Sequence, residues 1–154
     1  MMLLDSDVLL IDLRYPNDPR FTVNTQVFQA LSTAQVPLGI MTQALLEVVG
    51  NLSFNTPVAR IPQLPSYVVT RYQLTVFPAS SVCRDYAGCT VQALLTQMEQ
   101  QMALGDAVLA VQIARYASFA QGLLTWNARH FVGKLVIPVL TPQDWLTQQA
   151  HATP

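Results

Sequence analysis

The chain has 154 residues, a length that fits one domain and leaves little room for a second. Hydrophobic residues make up 51% and charged residues 11% of it, so each carboxylate is informative. The net charge of −1 argues against a broadly basic nucleic-acid-binding surface, although bound metal ions can supply positive charge locally.

The amino-terminal segment predicts a strand followed by a short helix. Residues 1–4 form an apolar run that ends at Asp5, as a buried strand does. Ser6 or Asp7 then caps a helix that extends to about Arg14. This segment has no basic start, no cleavage site and no long apolar run, so neither a signal peptide nor a membrane-spanning helix is expected.

The next part of the chain predicts a helix, a strand and a second helix. Residues 23–34 fit a helix that stops before a proline, and residues 38–41 fit a short strand. Thr42 is a suitable N-cap for the helix that contains Glu47 among apolar neighbours. Three prolines interrupt residues 55–65, where no element is predicted.

The carboxyl-terminal half continues the alternation. Residues 67–77 are rich in β-branched and aromatic side chains and are expected to include a strand. Helices are expected from about Ser81 or Thr90 to Met102, and from Asp106 to residue 120, where Gly122 is placed to end the second one.

The final segment predicts two strands and a helix. The strands cover residues 123–125 and 135–140, and the last helix begins at Thr141-Pro142. Short apolar strands alternating with helices indicate an α/β fold with a mostly parallel sheet covered on both faces.

Four polar side chains are candidates for a functional site. Ligands of open parallel sheets bind beyond the carboxyl ends of the strands, where Asp5 and Asn127 are predicted to lie. If the first and fourth strands are neighbours, Glu47 and Asp106 could join them. Close carboxylates repel one another unless a cation binds, and oxygen ligands without paired His or Cys favour Mg²⁺ or Mn²⁺.

Each candidate also has an ordinary structural interpretation. Asp5 and Asp106 are both good helix N-caps, Glu47 could be a solvated helix position, and Asn127 is a common turn residue. The functional interpretation therefore depends on the four side chains meeting in one place.

The motifs around these residues resemble those of the PIN-domain nucleases. MLLDSDVLLIDLR (residues 2–14) looks like the opening strand and helix of that family, and TQALLEVVG (42–50) is similar to its second acidic motif. LGDAVLAVQIA (104–114) resembles the third motif, and LTWNARHF (124–131) with IPVLTP (137–142) resembles the closing strands. The similarity covers nearly the whole chain and is weakest over residues 55–71.

The resemblance is strongest to the VapC-type toxins of bacterial toxin–antitoxin pairs. It implies a PIN-like three-layer α/β/α sandwich over residues 1–154, and a cytoplasmic, Mg²⁺- or Mn²⁺-dependent endoribonuclease. It also implies a homodimer that a small antitoxin neutralises. By motif, Asp5, Glu47 and Asp106 are the metal ligands and Thr125 is a supporting hydroxyl. Asn127 falls where many members have a fourth Asp, and the substitution removes one negative charge.

Two rival functions remain open from the sequence. A PIN-like module that binds RNA or a protein without efficient cleavage is compatible with Asn127 and with the modest basic content. A DNA-directed or flap-type nuclease on a related fold is less compatible, because the chain lacks insertions that hold branched substrates.

Several other polar residues have a less specific interpretation. Asp7 is expected to cap the first helix, and Asp12 to face solvent or Arg14. Cys83 and Cys89 are expected to be thiols in a reducing compartment rather than a metal or redox site. Four basic residues are candidates for contacts with RNA phosphates or for ordinary surface charges: Arg14, Arg129, His130 and Lys134.

Overall fold

A computed structural model describes residues 1–79 and 89–152, with the last helix described at Ala152 by its backbone alone. Cys83 and the alternative helix start at Ser81 lie outside the described residues. In chain order the elements are β1 (Met2–Leu4), α1 (Ser6–Arg14), α2 (Phe21–Thr33), β2 (Leu38–Met41), α3 (Thr42–Ser53), a 3-10 helix (Val58–Gln63), α4 (Leu64–Tyr72), β3 (Thr75–Phe77), α5 (Val91–Met98), α6 (Leu104–Tyr116), β4 (Gly122–Leu124), a 3-10 helix (Ala128–His130), β5 (Val139–Leu140) and α7 (Pro142–Ala152).

The strands form a parallel sheet of order β3-β2-β1-β4-β5. Leu4 of β1 pairs with Ile40 of β2 on one side and with Leu124 of β4 on the other. All three side chains are buried, as expected for parallel strands that helices cover on both faces. The predicted α/β class, the PIN-like three-layer sandwich and the neighbouring positions of the first and fourth strands are confirmed.

Two of the predicted helix boundaries in the second half of the chain are wrong. Helix α6 begins at Leu104 and ends at Tyr116, so Asp106 lies in its first turn and is not its N-cap. Gly122 does not end this helix but begins β4. A Cβ at Gly122 would lie 3.1 Å from the carbonyl oxygen of Pro138, so this glycine permits the close approach of the last two strands.

The segment of residues 67–77 is a helix for half of its length. Helix α4 extends to Tyr72, and β3 occupies Thr75–Phe77. A proline in the first turn favours the helix, and Val68 packs into the core, so tertiary contacts override the β-propensity of the segment. The last predicted strand is also shorter, covering Val139–Leu140.

In the described part of the chain, no helix combines the length and the apolar character needed to cross a membrane.

Candidate active site

Asp5 lies at the carboxyl end of the central strand and is almost completely buried. Its backbone N–H donates to the carbonyl oxygen of Leu124 at 3.0 Å, which continues the pairing of β1 with β4. Its Oδ1 accepts from the backbone N–H of Ser6 at 2.7 Å, and its Oδ2 accepts from the hydroxyl of Thr125 at 2.7 Å. Asp5 is therefore the N-cap of α1, a position for which Asp5, Ser6 and Asp7 were all candidates, and it also lies where the metal ligand is expected.

The surroundings of Asp5 favour its neutral form when no cation is bound. Burial, and after it the nearby carboxylates of Asp7 and Glu47, raise the pKa of Asp5 to about 7. The hydrogen bonds from Thr125 and Ser6 act in the opposite direction. An acid in this state can exchange its proton for a cation.

Glu47 is connected to Asp5 through Ser6. Glu47 is half-buried on α3, and its Oε2 accepts from the hydroxyl of Ser6 at 2.8 Å. Its Oε1 accepts from the side-chain amide of Gln43 at 2.7 Å. Glu47 is therefore not a solvated helix position. From the sequence Ser6 was considered only as a helix cap and Gln43 was not considered, although Gln43 precedes Glu47 by four residues, the spacing that places two side chains on one helix face.

Asp106 approaches the same region from α6. The preceding residue, Gly105, packs so closely against α3 that a Cβ there would lie 3.0 Å from Oε1 of Glu47. The carboxylate of Asp106 lies 3.3 Å from Nδ1 of His130, and 27% of its side chain is exposed. Asp5 and Glu47 therefore lie together at the carboxyl edge of the sheet, and the first turn of α6 lies beside Glu47.

The close approach of Gly105 to Glu47 gives a testable prediction. In Gly105→Ala the new methyl group would displace the Glu47 carboxylate by a few tenths of an ångström, while the helix gains about 0.5–1 kcal/mol from the loss of glycine. We expect Mn²⁺ affinity, measured by calorimetry, to fall several-fold without a loss of thermal stability.

Gly50→Ala is the matched control, because Gly50 also lies in a helix and a Cβ there meets nothing within 4 Å. Equal Mn²⁺ affinity in the two variants would show that the position of the Glu47 carboxylate does not matter.

The segment after β4 is fixed by Asp7. Oδ2 of Asp7 accepts from the backbone N–H groups of Trp126 at 3.0 Å and Asn127 at 3.2 Å, and lies 3.3 Å from the hydroxyl of Thr125. The prediction that Asp7 caps α1 is wrong, since Asp5 occupies that position. Thr125 is fully buried, whereas Asn127 is exposed, and the backbone of Asn127 also donates to the Thr125 hydroxyl at 3.1 Å.

The remaining polar predictions have mixed outcomes. Asp12 accepts hydrogen bonds from Arg71 and Tyr72 rather than facing solvent or Arg14. Arg14 donates to the carbonyl oxygen of Asn51, at the opposite end of α1 from Asp5. A cavity of about 390 Å³ lies on the Asp12 side, near the amino ends of β2 and β3, and does not include Asp5 or Glu47.

The residues present suit a hard divalent cation in type. The donors are carboxylate oxygens, and Oδ1 of Asp7 is a buried oxygen with no hydrogen-bond partner among the described atoms. In residues 1–79 and 89–152, however, no three His, Cys, Asp or Glu side chains lie close enough together to form a metal site. Ser6 and Gln43 hold Glu47, and His130 lies beside Asp106, so the acids contact polar neighbours instead of one another.

Comparisons with known proteins support the fold. No family model and no curated protein sequence matches the chain. Among solved structures, it is similar to a chain of VapBC2 from Rickettsia felis bound to a DNA fragment from its promoter, with a TM-score of 0.60 and 18% identity over 91% of this chain and 97% of that one.

A second similar structure is VapBC-1 from nontypeable Haemophilus influenzae, with a TM-score of 0.59 and 13% identity over 92% of this chain and 98% of that chain. At these identities the shared feature is the fold. The resemblance to VapC-type toxins expected from the motifs is confirmed at that level.

Proposed function

We propose that this chain is a Mg²⁺- or Mn²⁺-dependent endoribonuclease of the PIN class, and that Asp5, Glu47 and Asp106, which form no ready cluster among the described residues, are drawn together by the cation that they hold. The observation that carries the proposal is the buried carboxylate of Asp5 at the carboxyl end of the central parallel strand, linked to Glu47 through Ser6, whose backbone N–H donates to Asp5 and whose hydroxyl donates to Glu47. This edge of a parallel sheet is where such folds bind their ligands.

The chemistry follows from the charges. Asp5, Glu47 and Asp106 would hold a divalent cation, which would supply charge stabilisation and an activated water for phosphodiester hydrolysis. Thr125 orients the carboxylate of Asp5, while Ser6 and Gln43 orient that of Glu47. We assign Asn127 a role in orienting a water molecule at the site, because it is exposed on the segment that Thr125 and Asp7 hold in place.

The biological setting is proposed from the similarity to VapBC structures. We infer that the substrate is RNA, that a small cognate antitoxin binds the chain, that the chain acts in the cytoplasm and that two copies form a homodimer. The similarity in fold extends over more than nine-tenths of the chain, and the order of the motifs along the sequence resembles that of toxin-type members.

The test is cleavage of a structured RNA by the purified protein. We expect cleavage with Mg²⁺ or Mn²⁺ and its complete loss in EDTA, restored by excess Mn²⁺. Cleavage that persists unchanged in EDTA would contradict the proposed chemistry.

A binding module without catalytic activity is the second candidate. Two observations favour it: Glu47 and Asp106 contact different polar neighbours, Gln43 and His130, rather than each other, and Asn127 stands where many PIN domains have a fourth acid. Calorimetric titration with Mn²⁺ distinguishes the two functions, because a nuclease site binds the cation specifically and a degenerate one does not.

A further inference from the structure

Asp7 connects the first helix to three consecutive residues after β4. Its Oδ2 accepts two backbone N–H groups, from Trp126 and Asn127, and approaches the hydroxyl of Thr125. The same hydroxyl donates to Asp5 at 2.7 Å. The two carboxylates are thus separated by one shared hydroxyl group, and the position of residues 125–127 relative to Asp5 depends on Asp7.

These hydrogen bonds do not explain why the residue is an acid. An asparagine would present an equivalent oxygen to the same N–H groups. In Asp7 the second oxygen, Oδ1, is buried and has no hydrogen-bond partner in the described part of the chain. Leaving a buried acceptor unpaired costs about 1–3 kcal/mol, and more for a charged group.

The nearby positive charge does not remove this cost. Arg20 interacts electrostatically with Asp7, and its guanidinium lies over the ring of Trp126. That guanidinium is already bound by Asp18, whose two oxygens it meets at 2.9 Å and 2.8 Å. Burial raises the pKa of Asp7, and the Asp7 carboxylate in turn raises the pKa of Asp5, so the two acids interact directly.

We propose that Asp7 is a positioning residue of the cation site: its Oδ2 holds residues 125–127 against Asp5, and its charge strengthens the negative potential that attracts the cation. This inference rests on the proposed function. It assigns the charge of Asp7 to cation binding rather than to the folding of α1.

The experiment is calorimetric titration of Mn²⁺ into wild type and Asp7→Asn. The variant keeps an oxygen for the two N–H groups and removes the charge, so we expect Mn²⁺ affinity to fall at least about 10-fold, the range seen when groups supporting metal ligands are changed. Thermal stability in EDTA should be unchanged or higher, because a buried charge is gone.

Asp12→Asn is the matched control. Asp12 is also a partly buried acid of α1 that accepts hydrogen bonds, but its partners Arg71 and Tyr72 lie away from Asp5. We expect this variant to bind Mn²⁺ as tightly as wild type does.

The possible outcomes separate this inference from the proposed function. Wild-type affinity in Asp7→Asn overturns the role of Asp7 and leaves the cation site intact, whereas absence of binding in wild type overturns both. Asp7→Ser, which is also neutral and smaller, provides the measurement if Asp7→Asn does not fold. If neither variant folds, Asp7 serves the folding of the segment and the inference is wrong.

Discussion

Asp106→Asn is expected to lower the rate of RNA cleavage by about 10- to 100-fold or more, because losing a metal ligand should cost no less than losing a group that merely supports one. The substitution keeps the size of the side chain and removes its charge. Asp106 is partly exposed in the first turn of α6, so the variant should fold and unfold thermally much as wild type does. Initial rates of cleavage at saturating Mg²⁺ give the comparison.

Glu99→Gln is the control for this variant. Glu99 is an exposed acid at the end of α5, and its substitution likewise removes one carboxylate from the chain. We expect Glu99→Gln to cleave RNA at the wild-type rate. Undiminished cleavage by Asp106→Asn would remove Asp106 from the mechanism.

Asp5→Asn is expected to stabilise the protein in EDTA at pH 8 while abolishing specific Mn²⁺ binding. Burial and the neighbouring acids hold the pKa of Asp5 at about 7, above its ordinary value of 3.8. Because the folded-state pKa is the higher one, ionisation of Asp5 lowers stability as pH rises from about 4 to 7, and the full loss applies above pH 7.

The expected size of this effect is large for one residue. The pKa of Asp5 in the folded protein lies about three above its ordinary value, which sets an upper bound on the order of 4 kcal/mol on the stability lost when Asp5 ionises. The asparagine can still accept from the Ser6 N–H through its oxygen and can donate to Thr125, so the surrounding hydrogen bonds survive the change. Thermal unfolding at pH 8 should therefore occur several degrees higher than in wild type.

Two further measurements check the cause of this stabilisation. The advantage of Asp5→Asn should disappear near pH 4, where Asp5 is neutral in the folded protein. Added Mn²⁺ should raise the unfolding temperature of wild type but not of the variant, since a ligand that binds the folded state stabilises it. A variant less stable than wild type at pH 8 in EDTA would show that Asp5 does not destabilise the apo protein.

The fold could be predicted because its strands are continuous apolar runs separated by helical periodicity. The segments around Leu4, Ile40 and Leu124 are buried on both faces, and this leaves a clear pattern in the sequence. The secondary structure of residues 67–77 was harder to predict, because Val68 and Val69 favour strands locally but pack as part of a helix. Local propensity cannot report which element covers them.

The site was predicted in part. Asp5 and Glu47 were identified because each acid interrupts an apolar run, and in the structure both accept hydrogen bonds from Ser6, Asp5 from its backbone N–H and Glu47 from its hydroxyl. The contacts of Asp7 with the segment after β4 were missed because its partners, the N–H groups of Trp126 and Asn127, are about 120 residues away in the chain. Such a contact depends on β1 lying beside β4, and a helix cap was the simplest local alternative for an acid at that position.

The most direct test of the cation site is a crystal structure of the protein soaked in Mn²⁺, with anomalous scattering used to locate the ion. We predict one strong anomalous peak within coordination distance of Asp5 and at least one of Glu47 and Asp106. An anomalous map with no peak near Asp5, under conditions in which RNA is cleaved, would contradict the account.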